Sequence, residues 1–126
     1  MKKTSASYID IELKKILTEY AGDVKSAVIE SVRKTGEYAR DKLRQTSPKL
    51  TGAYRKGWRV TELNVTPFGG DIVVHNKTRY MLTHLLEHGH ANRGGGRTPA
   101  HVHLAPVKEE VNQKLEEITK AAIQNI

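Results

Sequence analysis

Residues 50–78, LTGAYRKGWRVTELNVTPFGGDIVVHNKT, are where the chain changes character. Here the apolar residues are β-branched or bulky and come in short runs: Trp58, Val60, Leu63 and Val65, then Ile72, Val73 and Val74. Runs of this kind between turn residues read as strands. Thr66-Pro67-Phe68-Gly69-Gly70 supplies the turn chemistry for a hairpin with a loop of several residues. The alternation slips between Val60 and Leu63, which predicts a bulge or a strand partly covered on both faces. A two-stranded ribbon is not stable alone, so these strands must join a larger sheet or lie against helices.

The flanks supply the helices. Upstream, Ile9, Leu13, Ile16, Tyr20, Val24, Val28, Val32, Ala39 and Leu43 recur at spacings of three and four and draw one apolar stripe. That spacing predicts a long N-terminal helix, kinked or broken at Gly22-Asp23, where Gly22 reads as a stop and Asp23 as an N-cap. Pro48 ends it, because the residue before a proline is pushed out of the helical region. Downstream, Thr78 is placed to cap a short helix carrying Tyr80, Met81, Leu82, Leu85 and Leu86, and Gly89 to stop it. Residues 89–100 form a Gly-rich, basic loop, and AHVHLA at 100–105 reads as a short extended segment. From Pro106 a last helix follows, with Val107, Val111, Leu115, Ile118 and Ala122 on one face and the proline in its first turn. The expected fold is α+β: a small antiparallel β-sheet with a long N-terminal helix, a short middle helix and a C-terminal helix packed on one side of it.

Composition narrows the function. At 126 residues the chain is expected to form a single domain, 1–126, with one core. A hydrophobic share of 37% is low, so much of the surface is left to water or to neighbouring molecules. The formal charge of +7 favours acidic partners. There is no cysteine, hence no disulfide framework and no thiolate metal site. No apolar run suits a signal peptide or a membrane span, which points to a cytosolic protein without a membrane partner, and the sequons at Asn64 and Asn76 then carry no meaning.

Three chemistries have candidate residues in the sequence. His84, Glu87 and His88 spell H-x-x-E-H, the pattern of one class of zinc peptidase, and five of the six histidines lie between positions 84 and 103. Against a zinc-dependent hydrolase, Gly89 puts the second ligand on a fraying last turn, and a small chain with little apolar content has no ready substrate cleft. No metal, cofactor, small-molecule substrate or catalytic residue is expected. The basic run Arg40, Lys42, Arg44, Lys49, Arg55, Lys56 and Arg59, with Tyr54 and Trp58 interleaved, offers an alternative as a nucleic-acid-binding module in which cations hold phosphates and rings stack on bases. The bland reading of the same run is a solvated helix end with Trp58 in the core. Arg93-Gly94-Gly95-Gly96-Arg97 lacks the Lys-Ser/Thr pair of a phosphate-binding loop, and three glycines suit a loop ordered by a neighbour.

Taken in order, a helix ending at Ser47-Pro48, then Thr51-Gly52-Ala53-Tyr54-Arg55 and Trp58, then Tyr80, Glu87-His88-Gly89-His90, the Gly-rich loop, and His101-Val102-His103 before Pro106, the sequence resembles the gene-product-ten-like tail-component family of long-tailed double-stranded DNA bacteriophages and their prophage remnants. Members show P-x-x-T-G-x-L/Y-R, later Tyr and E-x-G, then a Pro- or His-rich segment before the last helix. Many end that loop in Pro-Phe-x-x-Pro-Ala, where this chain has Ala100 to Pro106.

The resemblance implies a tail-completion or head–tail joining subunit without enzymatic activity. It would form a homo-oligomeric ring, a hexamer among the sizes it could take, between tail tube and head–tail connector, with DNA passing through as a further contact. It would be made in the host cytoplasm and end in the virion. Thr51, Gly52, Arg55, Glu87 and Gly89 match the family's motifs, and together with His88, His90, Arg93 and Arg97 they are the expected partner interface. Glu87, at the end of a helix whose dipole it opposes, is expected to be held by an Arg or Lys.

Overall fold

A computed structural model describes residues 7–49 and 52–124 of the protein. The hairpin forms as the sequence predicts, from β2 (Trp58–Thr66) and β3 (Gly69–Asn76). Its turn is tighter than expected: Thr66 already pairs with Gly69, leaving Pro67 and Phe68 at the tip. The bulge is real but lies further along, between Leu63 and Thr66, where Asn64 takes φ 53°.

The ribbon is completed by a strand that the sequence reading had assigned to helix. Tyr8–Glu12 forms β1 and pairs antiparallel with β3, Ile9 opposite Val74 and Ile11 opposite Ile72, giving the order β1-β3-β2. Ile9 and Leu13 are four apart and so fit a helical stripe. The side chains that are buried in this segment, however, are Ile9 and Ile11, at the period of two that a strand imposes. Facing residues share a side of the sheet. Ile9, Val74 and Val60 thus make one row toward the helices, while Tyr8, His75 and Arg59 make a row on the opposite side.

After β1 the chain turns through α1 (Leu13–Leu17) and enters α2 (Gly22–Thr46). The break falls at 18–21, earlier than the expected Gly22-Asp23. Gly22 is the first helical residue, Ala21 the extended one before it, and Asp23 sits in the first turn, where its charge suits the helix dipole. Val28, Ile29, Val32, Thr35, Gly36, Ala39 and Leu43 form the buried stripe. Pro48 acts as predicted, since Ser47 is extended at ψ 148° and closes the helix.

A short α3 (Ala53–Lys56) leads into β2, and α4 (Tyr80–His88) follows β3. The expected open loop after α4 is a small hairpin, β4 (His90–Ala91) with β5 (Arg97–Thr98), closed by backbone bonds from Asn92 N to Gly96 O and from Gly95 N to Asn92 O. The expected extended segment at 100–105 is cut short, because the last helix, α5 (Leu104–Gln124), begins two residues ahead of Pro106. α5 packs along α2, where the Tyr38 hydroxyl donates to Glu110 and Lys114 Nζ lies 4.3 Å from the Tyr38 ring centre. Side chains from β1, α1, α2, α3, β2, β3 and α5 meet in one core, with Trp58, Leu13, Leu43, Ile72 and Val107 among its members.

Candidate functional site

The geometry starts at Ser47. Buried and extended ahead of Pro48, its hydroxyl donates to the Leu43 carbonyl and accepts the Trp58 indole N–H at 2.8 Å, and its carbonyl accepts from Arg55 Nε at 2.6 Å. Gly52 then enters α3 at φ 92°, a left-handed conformation that a side chain resists, in keeping with the turn expected there. The turn drops Tyr54 and Trp58 into the core, 1% and 0% exposed. The stacking platform that these two rings would have offered to bases is therefore not available. The sequence interleaves them with cations, but the turn sends rings inward and cations outward.

Tyr54 is the hub. Its carbonyl accepts from Asn76 Nδ2 at 2.6 Å, and its hydroxyl lies 3.0 Å from Thr83 Oγ1 and 2.6 Å from His103 Nε2. The rings of Tyr54, Trp58 and His103 meet edge to face, with centroids 5.6 to 6.4 Å apart. Burial, with the Glu87 charge adding to it and the Thr83 bond opposing it, pushes the Tyr54 phenol up to about 12, so it stays a hydrogen-bond donor at neutral pH. Asn76 has a second role: its Oδ1 accepts the Arg79 backbone N–H at 2.8 Å and the Thr78 hydroxyl. The start of α4 is thus capped by Asn76, and the expected cap, Thr78, instead ties Asn76 to the Ala53 carbonyl.

Glu87 carries the largest correction. Among the described residues no Arg or Lys forms an ion pair with it; its ion-pair partner is His103. Its carboxylate turns into the protein, 9% exposed, and accepts the backbone N–H groups of His103 at 2.6 Å, Leu104 at 2.7 Å and Ala105 at 3.2 Å. Those are the orphan donors at the start of α5, where the positive end of the helix dipole lies. Glu87 therefore caps α5 from α4. His103 Nδ1 lies 2.9 Å from the same carboxylate and 2.7 Å from the His101 carbonyl. Two acceptors facing Nδ1 place a hydrogen there, which in the neutral ring leaves Nε2 to accept from Tyr54.

Of the H-x-x-E-H residues, His84 and His88 are exposed on α4 with ring centroids 5.0 Å apart, while the neighbouring Glu87 carboxylate is turned inward and engaged by the α5 N-terminus. With its oxygens bonded to those N–H groups, Glu87 is not poised as a general base for a water beside these rings. Among the described residues no group of three or more His, Asp or Glu side chains is placed to hold a metal ion.

The remaining predicted positions lie on the outside. His90 is half-buried in β4, Arg93 is exposed at the hairpin tip, and Arg97 donates from Nη2 to the His88 carbonyl at 2.9 Å. Gly89, at φ 71°, passes so close to the Thr98 carbonyl that a Cβ would stand 2.5 Å from it. Thr51 lies outside the described residues. The fold thus gathers Arg55, Glu87 and Gly89 with Ser47, Tyr54, Asn76, Thr83 and His103, none of which the sequence reading had named as a site residue. Ser47, Tyr54 and His103 did stand in the motifs, but nothing in a sequence distinguishes a buried, bonded Thr83 or Asn76 from a solvated one.

Ser47, Gly52 to Arg55 and Glu87 to Gly89, which contribute to this network, fall inside residues 11–89, the span matched by the family model for "Bacteriophage HK97-gp10, putative tail-component". The chain belongs to this family. As a phage tail component it has its place in the virion, in contact with other phage structural proteins. The family match ends at Gly89, so His103 and α5, which Glu87 secures, lie beyond it. Comparison with curated proteins and with solved structures gives no match. Among the described residues of this tail component, no helix is long and apolar enough to cross a membrane.

Proposed function

We propose that this tail component is a tail-completion or head–tail joining subunit: a non-enzymatic single domain, made in the host cytoplasm, that closes into a ring between tail tube and head connector. The reading is supported most by the outer face of α4. Tyr80, Met81 and Leu85 are exposed there, and Met81 is 68% so. On the inward side of the same helix Leu82 and Leu86 pack against the core, while Thr83 and Glu87 are spent on the internal network. A helix that turns apolar side chains outward while fixing polar ones inside is arranged for a neighbour. In this reading His88, His90, Arg93 and Arg97 rim the contact, whereas Gly52, Arg55, Glu87 and Gly89 act by holding α4 and the hairpin in place. Head-to-tail contacts between copies close into a ring when the rotation per copy divides a full turn.

Sedimentation of the purified protein, and electron microscopy of it mixed with isolated tails, test the reading. Rings, free or seated on tail ends, are expected, and Met81→Glu with Leu85→Glu should abolish them. A protein that stays monomeric and never attaches to tails would overturn it.

A further inference from the structure

The end of α2, the turn of α3 and the start of β2 place four cations around one shallow pocket of about 320 Å³: Arg44, Arg55, Lys56 and Arg59. Three of them are fixed by backbone carbonyls. Arg44 Nη2 donates to Trp58 O at 2.9 Å, Arg55 Nε to Ser47 O at 2.6 Å, and Arg59 Nη1 to Trp58 O at 2.9 Å and to Lys56 O. The Ser47 and Trp58 carbonyls belong to residues that the core holds rigidly, since the two are buried and bonded to each other. A guanidinium carries five N–H groups, and these bonds use only a minority of them. The pocket is therefore preorganised, with donors to spare.

Its charge is not balanced from within. No carboxylate appears among the described residues that line it. Among the described residues the Arg and Lys ion pairs lie elsewhere, with Arg33 bound to Glu30 and Glu62, Arg40 to Asp41, and Lys15 to Glu12. Like charges gathered without a counter-charge work against the folded state, and an anion that enters gains from all of them at once.

We propose that this pocket receives the carboxylates of an acidic segment on a neighbouring virion protein. Planar guanidinium forks match carboxylates two N–H groups at a time. A nucleic acid fits less well. Its charges run along a line at close spacing and call for a stripe of cations rather than one concavity. The only aromatic rings in this stretch, Tyr54 and Trp58, are buried and can stack on nothing outside. The inference rests on the charge geometry and on family membership, not on ring formation.

Fluorescence anisotropy tests it, with a labelled peptide of alternating Glu and Asp and, separately, a labelled random-sequence DNA duplex. Lys56→Ala with Arg59→Ala removes two exposed pocket cations, and Lys14→Ala with Lys15→Ala removes two exposed cations from α1 as a charge-matched control. The pocket variant should weaken peptide binding by about tenfold or more, the control should change it little, and the duplex should respond to both variants alike. A second variant, Lys56→Glu, supplies the missing counter-charge internally and should weaken the peptide while raising the melting temperature. Absence of peptide binding, or equal losses in pocket and control variants, overturns the proposal. So does a loss of duplex binding confined to the pocket variant, which would make phosphate the occupant.

Discussion

At Glu87 a carboxylate does for α5 what a Ser or Asp at the helix start usually does, but it reaches in from a different helix. Glu87→Ala would leave buried N–H groups of His103 and Leu104 without acceptors. A buried donor left unmet costs roughly 1–3 kcal/mol, so urea denaturation should show a loss of about 3 kcal/mol, with Glu87→Gln losing less because one acceptor oxygen remains. Tyr54 gives a pH signature. Its phenol is held above the ordinary value of 10.0, at about 12, chiefly by burial. Between those two values the unfolded chain gives up this proton and the folded one keeps it, so the unfolded state is favoured. Stability attributable to Tyr54 is therefore intact below pH 10 and falls as pH rises toward 12. Comparing melting curves of the wild type and Tyr54→Phe across that window should show a shallower alkaline decline in the variant, against a lower stability at neutral pH from the lost hydroxyl bonds.

Among the elements, α2 lies tight against the sheet at Gly36, where a Cβ would stand 3.0 Å from Ile72 Cγ2 and 3.5 Å from Val60 Cγ1. Ile72 is in central β3 and cannot retreat freely. Gly36→Leu should overpack this seam and destabilise by about 1–3 kcal/mol, read by denaturant unfolding. α2 was legible because its stripe runs long enough for the 3.6 period to be unmistakable, and β2 and β3 because β-branched runs flank a Pro-Gly turn. β1 was not legible as a strand. Tyr8–Glu12 covers five residues, and over so short a window spacings of two and four share positions, so only its pairing with β3 chooses between them. α4 was legible in place, but not which of its apolar residues turn inward: Leu82 and Leu86 do, against the core. Apolar Met81 and Leu85 point out because Thr83 and Glu87 have bonding partners inside that hydropathy does not register.

For the whole molecule, the exposed α4 face separates folding from assembly. Substitutions at exposed positions commonly shift stability by about 0.5 kcal/mol or less. Met81→Glu with Leu85→Glu should therefore melt close to the wild type while failing to form rings, which calorimetry and sedimentation would read on the same sample. A variant that unfolds would mean that these side chains belong to the monomer's own packing. The sequence by itself determined the α+β class, the long helix ended by Pro48, the hairpin, the glycine turn at Gly52 and the tail-component family, because periodicity, turn chemistry and ordered motifs are local properties of the chain. Only the tertiary structure decided that Glu87 caps α5, that Tyr54 joins Thr83 to His103, that Tyr8–Glu12 is a strand, and that four cations share one pocket. Each of these depends on which distant residue stands opposite, and that is fixed by packing rather than by spacing along the chain.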